Sequence, residues 1–301
     1  MSIPYEYAIY KGSDKLKQKN QGIMYILIAA FFFALMTFFV RKSGNLPTMQ
    51  KAFFRNAVAM VIALVMLGKN RQDFHIEKKS ILSLVLRCVF GTSGLICNFY
   101  AIDRMNISDA NMLNKLSPFF AIIMSAFILG EVAGAFDWGM VVLAFIGALF
   151  VVKPEFDSSV IPALLGVYGG FGAGTAYTFV RKLGGQGVKS DLIVFSFSAF
   201  STIVTLPFVV VQYHHMELIQ LIYLLLAGTS AAIAQFAITT AYSKAPAKEI
   251  SVFDYSQVVF AALLGWAFLD QIPDMYSVIG YIIIIFSAVL KWRNGLDNKE
   301  N

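Results

Sequence analysis

Charge is scarce in this chain. Only 14% of its 301 residues are Asp, Glu, Lys or Arg, whereas 58% are hydrophobic and the mean hydropathy is +0.68. A water-soluble domain would have to coat its surface with apolar side chains to use that composition, so a soluble fold is excluded. The only cysteines, Cys88 and Cys97, share one hydrophobic segment, which excludes a disulfide framework and a cysteine-based metal site. The histidines are His75, His214 and His215, in expected loops with no third ligand at useful spacing, so no metal is expected. Gly-x-Ser-x-Gly, His-x-x-Glu-His and ATP-binding motifs are also missing, as is an aspartate pair at matching depth. These absences argue against a membrane-embedded enzyme and against a primary pump, and no cofactor is expected. The polar, basic segment 1–20 is too long for a signal-peptide n-region, and no small-residue cleavage site follows the first apolar run. The first span is therefore expected to be retained.

What the chain does have is apolar runs of bilayer length. Ten spans are expected: Gly22–Val40, Met49–Leu67, Ile81–Ile102, Asp109–Leu129, Phe136–Val152, Val160–Val180, Asp191–Val211, Leu218–Tyr242, Lys248–Leu269 and Tyr276–Trp292. Short connections make sequential helices antiparallel neighbours. The net charge of +6 reflects basic residues at the span ends, and no nucleic-acid partner is expected. Sixteen of these lysines and arginines fall on the side of the N-terminus, against Arg41, Lys42, Arg104 and Lys153 on the other. That bias predicts a multi-pass protein of the plasma (cell inner) membrane with both termini cytoplasmic.

The chain also repeats itself. Phe39-Val40-Arg41-Lys42-x-Gly44 returns as Phe179-Val180-Arg181-Lys182-x-Gly184, a shift of 140 residues. Phe31/Phe171, Ala59/Ala199 and Ala121/Ala261 keep the same offset. Five spans per half is an odd number, so the second half must enter from the other side. The expected fold is an all-α integral membrane protein of ten transmembrane helices in two inverted five-helix repeats. These are residues 21–153 and 160–292, flanked by a cytoplasmic N-terminal segment (1–20) and tail (293–301). Such architecture suits a secondary transporter with its substrate at the interface of the halves.

The fourth span carries a polar stripe. Asn111, Asn114, Lys115 and Pro118 fall at i, i+3, i+4 and i+7, one face of a continuous helix. Ser251, Asp254, Tyr255 and Val258 take the same places in the ninth span. Phe53-Phe54-Arg55, the Ser117-Pro118-Phe119-Phe120-Ala121 run and the Leu129-Gly130-Glu131 that follows resemble the EamA-type branch of the drug/metabolite transporter (DMT) superfamily. The resemblance covers residues 21 to 292 and implies a ten-helix transporter, while leaving the substrate open. The second copy departs from the pattern: Val258 replaces the proline, which predicts a straighter ninth helix, and Asp270-Gln271 stands where Gly-Glu is expected.

Intramembrane ionisable residues mark pathways by default. Counted along continuous helices, Lys115 and Asp254 lie at depths differing by ~10 Å, as outer and inner anchors of one cavity. The alternatives are a buried ion pair between them or a snorkelling lysine. Arg55, with Lys51 one turn earlier, makes the outer half positive and suits a carboxylate or phosphate, or else it bonds helix ends. Asn98, which shares a face with Gly91 and Gly94, and Gln235 either bind substrate or join helices. Tyr255 and Tyr177 either contact a ligand or pack. Arg87 is expected to snorkel, Gly166, Gly170 and Gly174 to form a packing ridge, Pro118 and Pro207 to kink their helices, and Asn106-Ile107-Ser108 matches a glycosylation acceptor.

The substrate-binding set is thus Arg55, Asn98, Asn111, Asn114, Lys115, Gln235, Asp254 and Tyr255, with Asp254 the candidate for proton coupling. The expected function is movement of a small polar metabolite, preferably an amino acid or other carboxylate, by alternating access. The alternative is export of cationic or lipophilic drugs or metabolites. A channel fits less well, because the polar faces are sparse and asymmetric. The expected partners are that substrate, the lipid bilayer and a proton, and either a monomer or a homodimer fits.

Overall fold

A computed structural model describes residues 5–69, 76–104, 113–152, 160–269 and 273–297. The described residues are helical with no strand. The elements are α1 (Tyr5–Lys42), α2 (Thr48–Lys69), α3 (Lys78–Arg104), α4 (Ser117–Leu129), α5 (Ala135–Val152) and α6 (Val160–Gly185). They are followed by α7 (Ser190–Val211), α8 (Leu218–Lys244), the single turn α9 (Ala247–Ile250), a 3-10 segment (Ser251–Tyr255), α10 (Ser256–Leu269) and α11 (Met275–Asp297). Among the described residues eight spans are long and apolar enough to cross a membrane, one of them Ala247–Phe268. Ser117–Leu129 and Ala135–Phe150 are shorter apolar helices. Helix α1 starts at Tyr5, well before the expected Gly22.

The molecule is apolar outside. Val65, Phe127, Ile203, Val211, Leu225, Trp266, Phe268 and Ile282 are exposed, while Arg87, Asp254, Lys291, Gln50 and Asn56 are buried. That is the distribution lipid demands: hydrocarbon accepts apolar side chains, and polar groups must find partners or a wet cavity inside.

Small residues set how closely the helices approach. Helix α8 buries Ala227, Ala231, Ala234, Ala237 and Ala241, and α1 meets it with Ile26, Ala29 and Ala30. Where α3 crosses α6, a Cβ on Gly172 would lie 2.7 Å from the Cα of Gly94, so the two backbones touch. Between lipid-embedded helices, van der Waals contact of this kind replaces the hydrophobic effect as the source of cohesion. The principal packings are α3 with α6, α1 with α8, α2 with α7, α5 with α11, α4 with α6, α2 with α8, and α1 with α10. Displaced by 140 residues, the α3–α6 pair becomes α8–α1, α4–α6 becomes α10–α1, and α2–α7 and α5–α11 map onto themselves.

Candidate functional site

The site begins where two helices start late. Helix α4 opens at Ser117 with Pro118 in its first turn. Proline has no N–H, so the Asn114 carbonyl loses its helical donor and the chain cannot run straight through. Residues 115 and 116 form a turn instead. Phe119 N–H donates to the Leu116 carbonyl at 3.0 Å, a step of three residues. The Lys115 carbonyl is thereby left without a helical donor, and the Tyr255 hydroxyl supplies one at 2.9 Å.

This corrects the expectation of one continuous fourth helix with a polar face: Lys115 sits in the interruption, and Asn111 lies outside the described residues. The ninth span is not straighter either. Its 3-10 segment, Ser251–Tyr255, separates α9 from α10 although Val258 imposes no break. Its tighter winding carries Asp254 and Tyr255 to their partners around Lys115, so tertiary contacts decide the conformation that a proline decides in the first copy.

The two interruptions meet. Lys115 Nζ lies 3.3 Å from Asp254 Oδ2 and 2.6 Å from Gln257 Oε1, with the two charged side chains 12% and 9% exposed. Both side chains reach this contact from interrupted segments and not from within long helices. Of the arrangements open to the sequence, the structure has the ion pair.

Around the pair is a cavity of about 170 Å³. Its wall takes Phe33 and Met36 from α1, Arg55 from α2, and Arg87, Gly91, Gly94, Leu95, Asn98 and Phe99 from α3. The turn before α4 gives Asn114 and Lys115, and Ser117 follows. Helix α6 gives Gly169, Ala173, Ala176 and Tyr177; Phe197, Gln235, Asp254 and Gln257 complete the wall. Arg55, Asn98, Asn114, Lys115, Gln235 and Asp254 thus border one space. Tyr255 stands behind it, fully buried. Lys51 is not in the wall and donates to the Gly44 carbonyl at 2.7 Å.

Arg87 does not snorkel. It is 2% exposed, its guanidinium lies 4.1 Å over the Phe197 ring, and its terminal nitrogen reaches Gln235 Oε1 at 3.5 Å. A signal for it was present: Arg87, Gly91, Gly94 and Asn98 follow at i, i+4, i+7 and i+11, one helix face. Gln257, one turn after Asp254, was likewise missed.

The balance of charge in the wall is positive: Arg55, Arg87 and Lys115 against Asp254. Only Lys115 is paired. Among the described residues neither arginine forms an ion pair, and Arg55 Nε, Arg87 Nε and Asn98 Oδ1 are buried with no hydrogen-bond partner. Buried polar atoms are normally satisfied by protein, water or ligand, so the two arginines offer donors prepared for an acceptor, and Asn98 Oδ1 an acceptor beside them.

Towards the end of the bundle where α1 begins, two layers of contacts follow the cavity. Tyr177 stacks on Tyr242 with centroids 4.7 Å apart and planes at 8°. One turn beyond Tyr177, Arg181 binds Glu131 at 3.0 Å and the Ser243 carbonyl at 3.1 Å. Glu131 is placed by Gly130, whose left-handed φ of 69° ends α4. Lys19–Glu249 at 2.5 Å and Lys244–Gln21 at 2.9 Å tie α1 to α9 and α8 at the same end. The described residues contain no cluster of metal-ligating side chains.

The model of the EamA-like transporter family matches this chain twice, over residues 20–153 and 160–292. The pseudopaline exporter CntI of Pseudomonas aeruginosa is 31% identical over 274 residues, covering 90% of this chain and 95% of that protein. A riboflavin transporter of Vibrio cholerae is 26% identical over 93% of this chain and 96% of its own length. Solute carrier family 35 member G1 of Homo sapiens is 24% identical over 90% and 80%. A solved crystal structure shares the fold with a TM-score of 0.79 at 12% identity, covering 91% of this chain and 98% of the other. With its apolar helices and a duplicated match spanning nearly its full length, this chain belongs to the EamA-like transporter family of the drug/metabolite transporter superfamily and is a multi-pass membrane transporter.

Proposed function

We propose that the protein is a secondary transporter that moves a small carboxylate-bearing metabolite, such as an amino acid, across the plasma membrane by alternating access. The observation that carries this reading is Arg55, a half-buried side chain in the cavity wall whose Nε is buried with no hydrogen-bond partner and which forms no ion pair among the described residues. A guanidinium grips a carboxylate through two parallel N–H donors, and in a low-dielectric site it gains most from an anion. The drug-exporter reading needs Asp254 free to take a cation, whereas Asp254 is engaged by Lys115. An amino-acid ammonium would compete with Lys115 for that carboxylate. Protonation of Asp254 would release Lys115 and is the route by which a proton could be coupled.

Ten transmembrane helices in two inverted units, 21–153 and 160–292, are the architecture we assign, with both termini cytoplasmic. The paired family matches and the packing pattern preserved under the 140-residue shift support it. Alternating access then follows from rocking one unit on the other, and the Tyr177–Tyr242 and Arg181–Glu131 layers are the contacts that must part on the cytoplasmic side. The residues suit either direction of movement, and the relative named as an exporter favours export.

The test is a thermal-shift screen of the purified protein against a metabolite panel, since a ligand that binds only the folded form raises its stability. Carboxylates are expected to stabilise the wild type but not Arg55→Gln or Lys115→Gln. If both variants respond to every acid as the wild type does, or only cations stabilise it, the carboxylate assignment is wrong.

A further inference from the structure

Arg87 is the cavity's second unanswered cation, and the structure holds it ready. Its guanidinium is stacked on Phe197 at 4.1 Å, which fixes its plane. Gly91, one turn along α3, makes room for it: a Cβ there would fall 2.2 Å from an Arg87 terminal nitrogen. Among the described residues the only polar side chain it reaches, Gln235, is neutral and lies at 3.5 Å. A lone cation that served only to hold helices together would be met by a carboxylate or by backbone carbonyls, because an uncompensated buried charge costs several kcal/mol. Here Nε has no partner at all.

Since Lys115 and Asp254 offset each other, two guanidiniums remain over. We propose that Arg55 and Arg87 each take one negative charge of the same substrate, so that the transported compound is a compact dianion. This rests on the carboxylate reading above and narrows it. A cavity of about 170 Å³ is smaller than the ~300–1,000 Å³ that takes a drug-sized ligand, which favours two charges held on a short skeleton. The same chemistry is offered by a dicarboxylate and by a phosphate monoester, both of which present two negative charges.

Calorimetric titration of the full-length protein in nanodiscs at neutral pH tests the proposal, using butyrate, succinate and glycerol 3-phosphate. The wild type is expected to bind at least one of the two dianions about tenfold or more tightly than butyrate, a ratio worth about 1.4 kcal/mol. The tighter of the two identifies the source of the charge. In Arg87→Gln the preference is expected to collapse to within twofold. Arg87→Lys, which retains charge without the planar fork, is expected to fall between. If Arg87→Gln does not fold, Arg87→Lys and the wild-type ratio decide. Equal wild-type affinity for the mono- and dianions, still lost in Arg55→Gln, overturns the second anchor and leaves the carboxylate reading standing. Absence of binding by all three acids overturns both.

Discussion

Tyr255 donates its hydroxyl to the backbone carbonyl of Lys115 at 2.9 Å, and a displacement of 140 residues makes the two residues counterparts in the two copies. One copy uses its side chain to satisfy the backbone group that the other copy's helix break sets free. Tyr255→Phe keeps the ring and removes the donor, leaving that carbonyl unsatisfied in the interior. A loss of about 1–3 kcal/mol is expected, read as a lower midpoint in reversible denaturant unfolding of the detergent-solubilised protein. An unchanged midpoint would show that water reaches the carbonyl.

The Lys115–Asp254 pair calls for a double-mutant cycle. Removing one partner leaves a charge in a largely buried place, so Asp254→Asn and Lys115→Gln are each expected to destabilise by more than the two together would suggest. A coupling of about 1–3 kcal/mol is expected, measured in the same unfolding experiment. Additive single effects would mean that the 3.3 Å contact contributes nothing to the folded state.

Gly174 lets α4 lie against α6: a Cβ there would stand 2.6 Å from the Ser117 carbonyl and 2.7 Å from the Ala121 nitrogen. Both obstacles are backbone, which cannot swing aside. Gly174→Ala is expected to cost about 1–3 kcal/mol and to disturb the start of α4 beside Lys115. The same substitution at Gly139, whose Cβ would meet nothing within 4 Å, is expected to be neutral in a side-by-side melt.

Arg181 and Glu131 are expected to act as a latch. Glu131→Gln weakens the pair and should shift the population towards the state open at this end, tenfold for each ~1.4 kcal/mol lost. The readout is the rate at which a membrane-impermeant thiol reagent, applied from the side where α1 begins, modifies Ala176→Cys in a protein carrying Cys88→Ala and Cys97→Ala. A several-fold faster reaction is expected, and an unchanged rate argues that the latch is only structural.

Most of the helices were legible because lipid leaves the chain few choices: apolar runs of bilayer length have to satisfy their own backbone. The polar residues that face the cavity were legible for the same reason, since Arg55, Asn98, Gln235 and Asp254 stand out against an apolar background. What could not be read was where both polar-faced helices are interrupted. The turn at Lys115 was foreshadowed by Pro118, but the 3-10 segment at Asp254 has no local cause, being held by partners 139 to 142 positions away in the chain. Arg87 stays inside instead of snorkelling because Gly91, one turn along, leaves its side chain a place there.

The central claim is that a guanidinium-bearing cavity carries an anionic metabolite by alternating access. Counterflow in proteoliposomes tests it most directly, with a labelled carboxylate found by the stability screen outside and the same unlabelled compound trapped within. The account predicts saturable, transient accumulation of label that Arg55→Gln abolishes. Label that merely equilibrates at a rate linear in concentration, or accumulation that Arg55→Gln leaves intact, would contradict it.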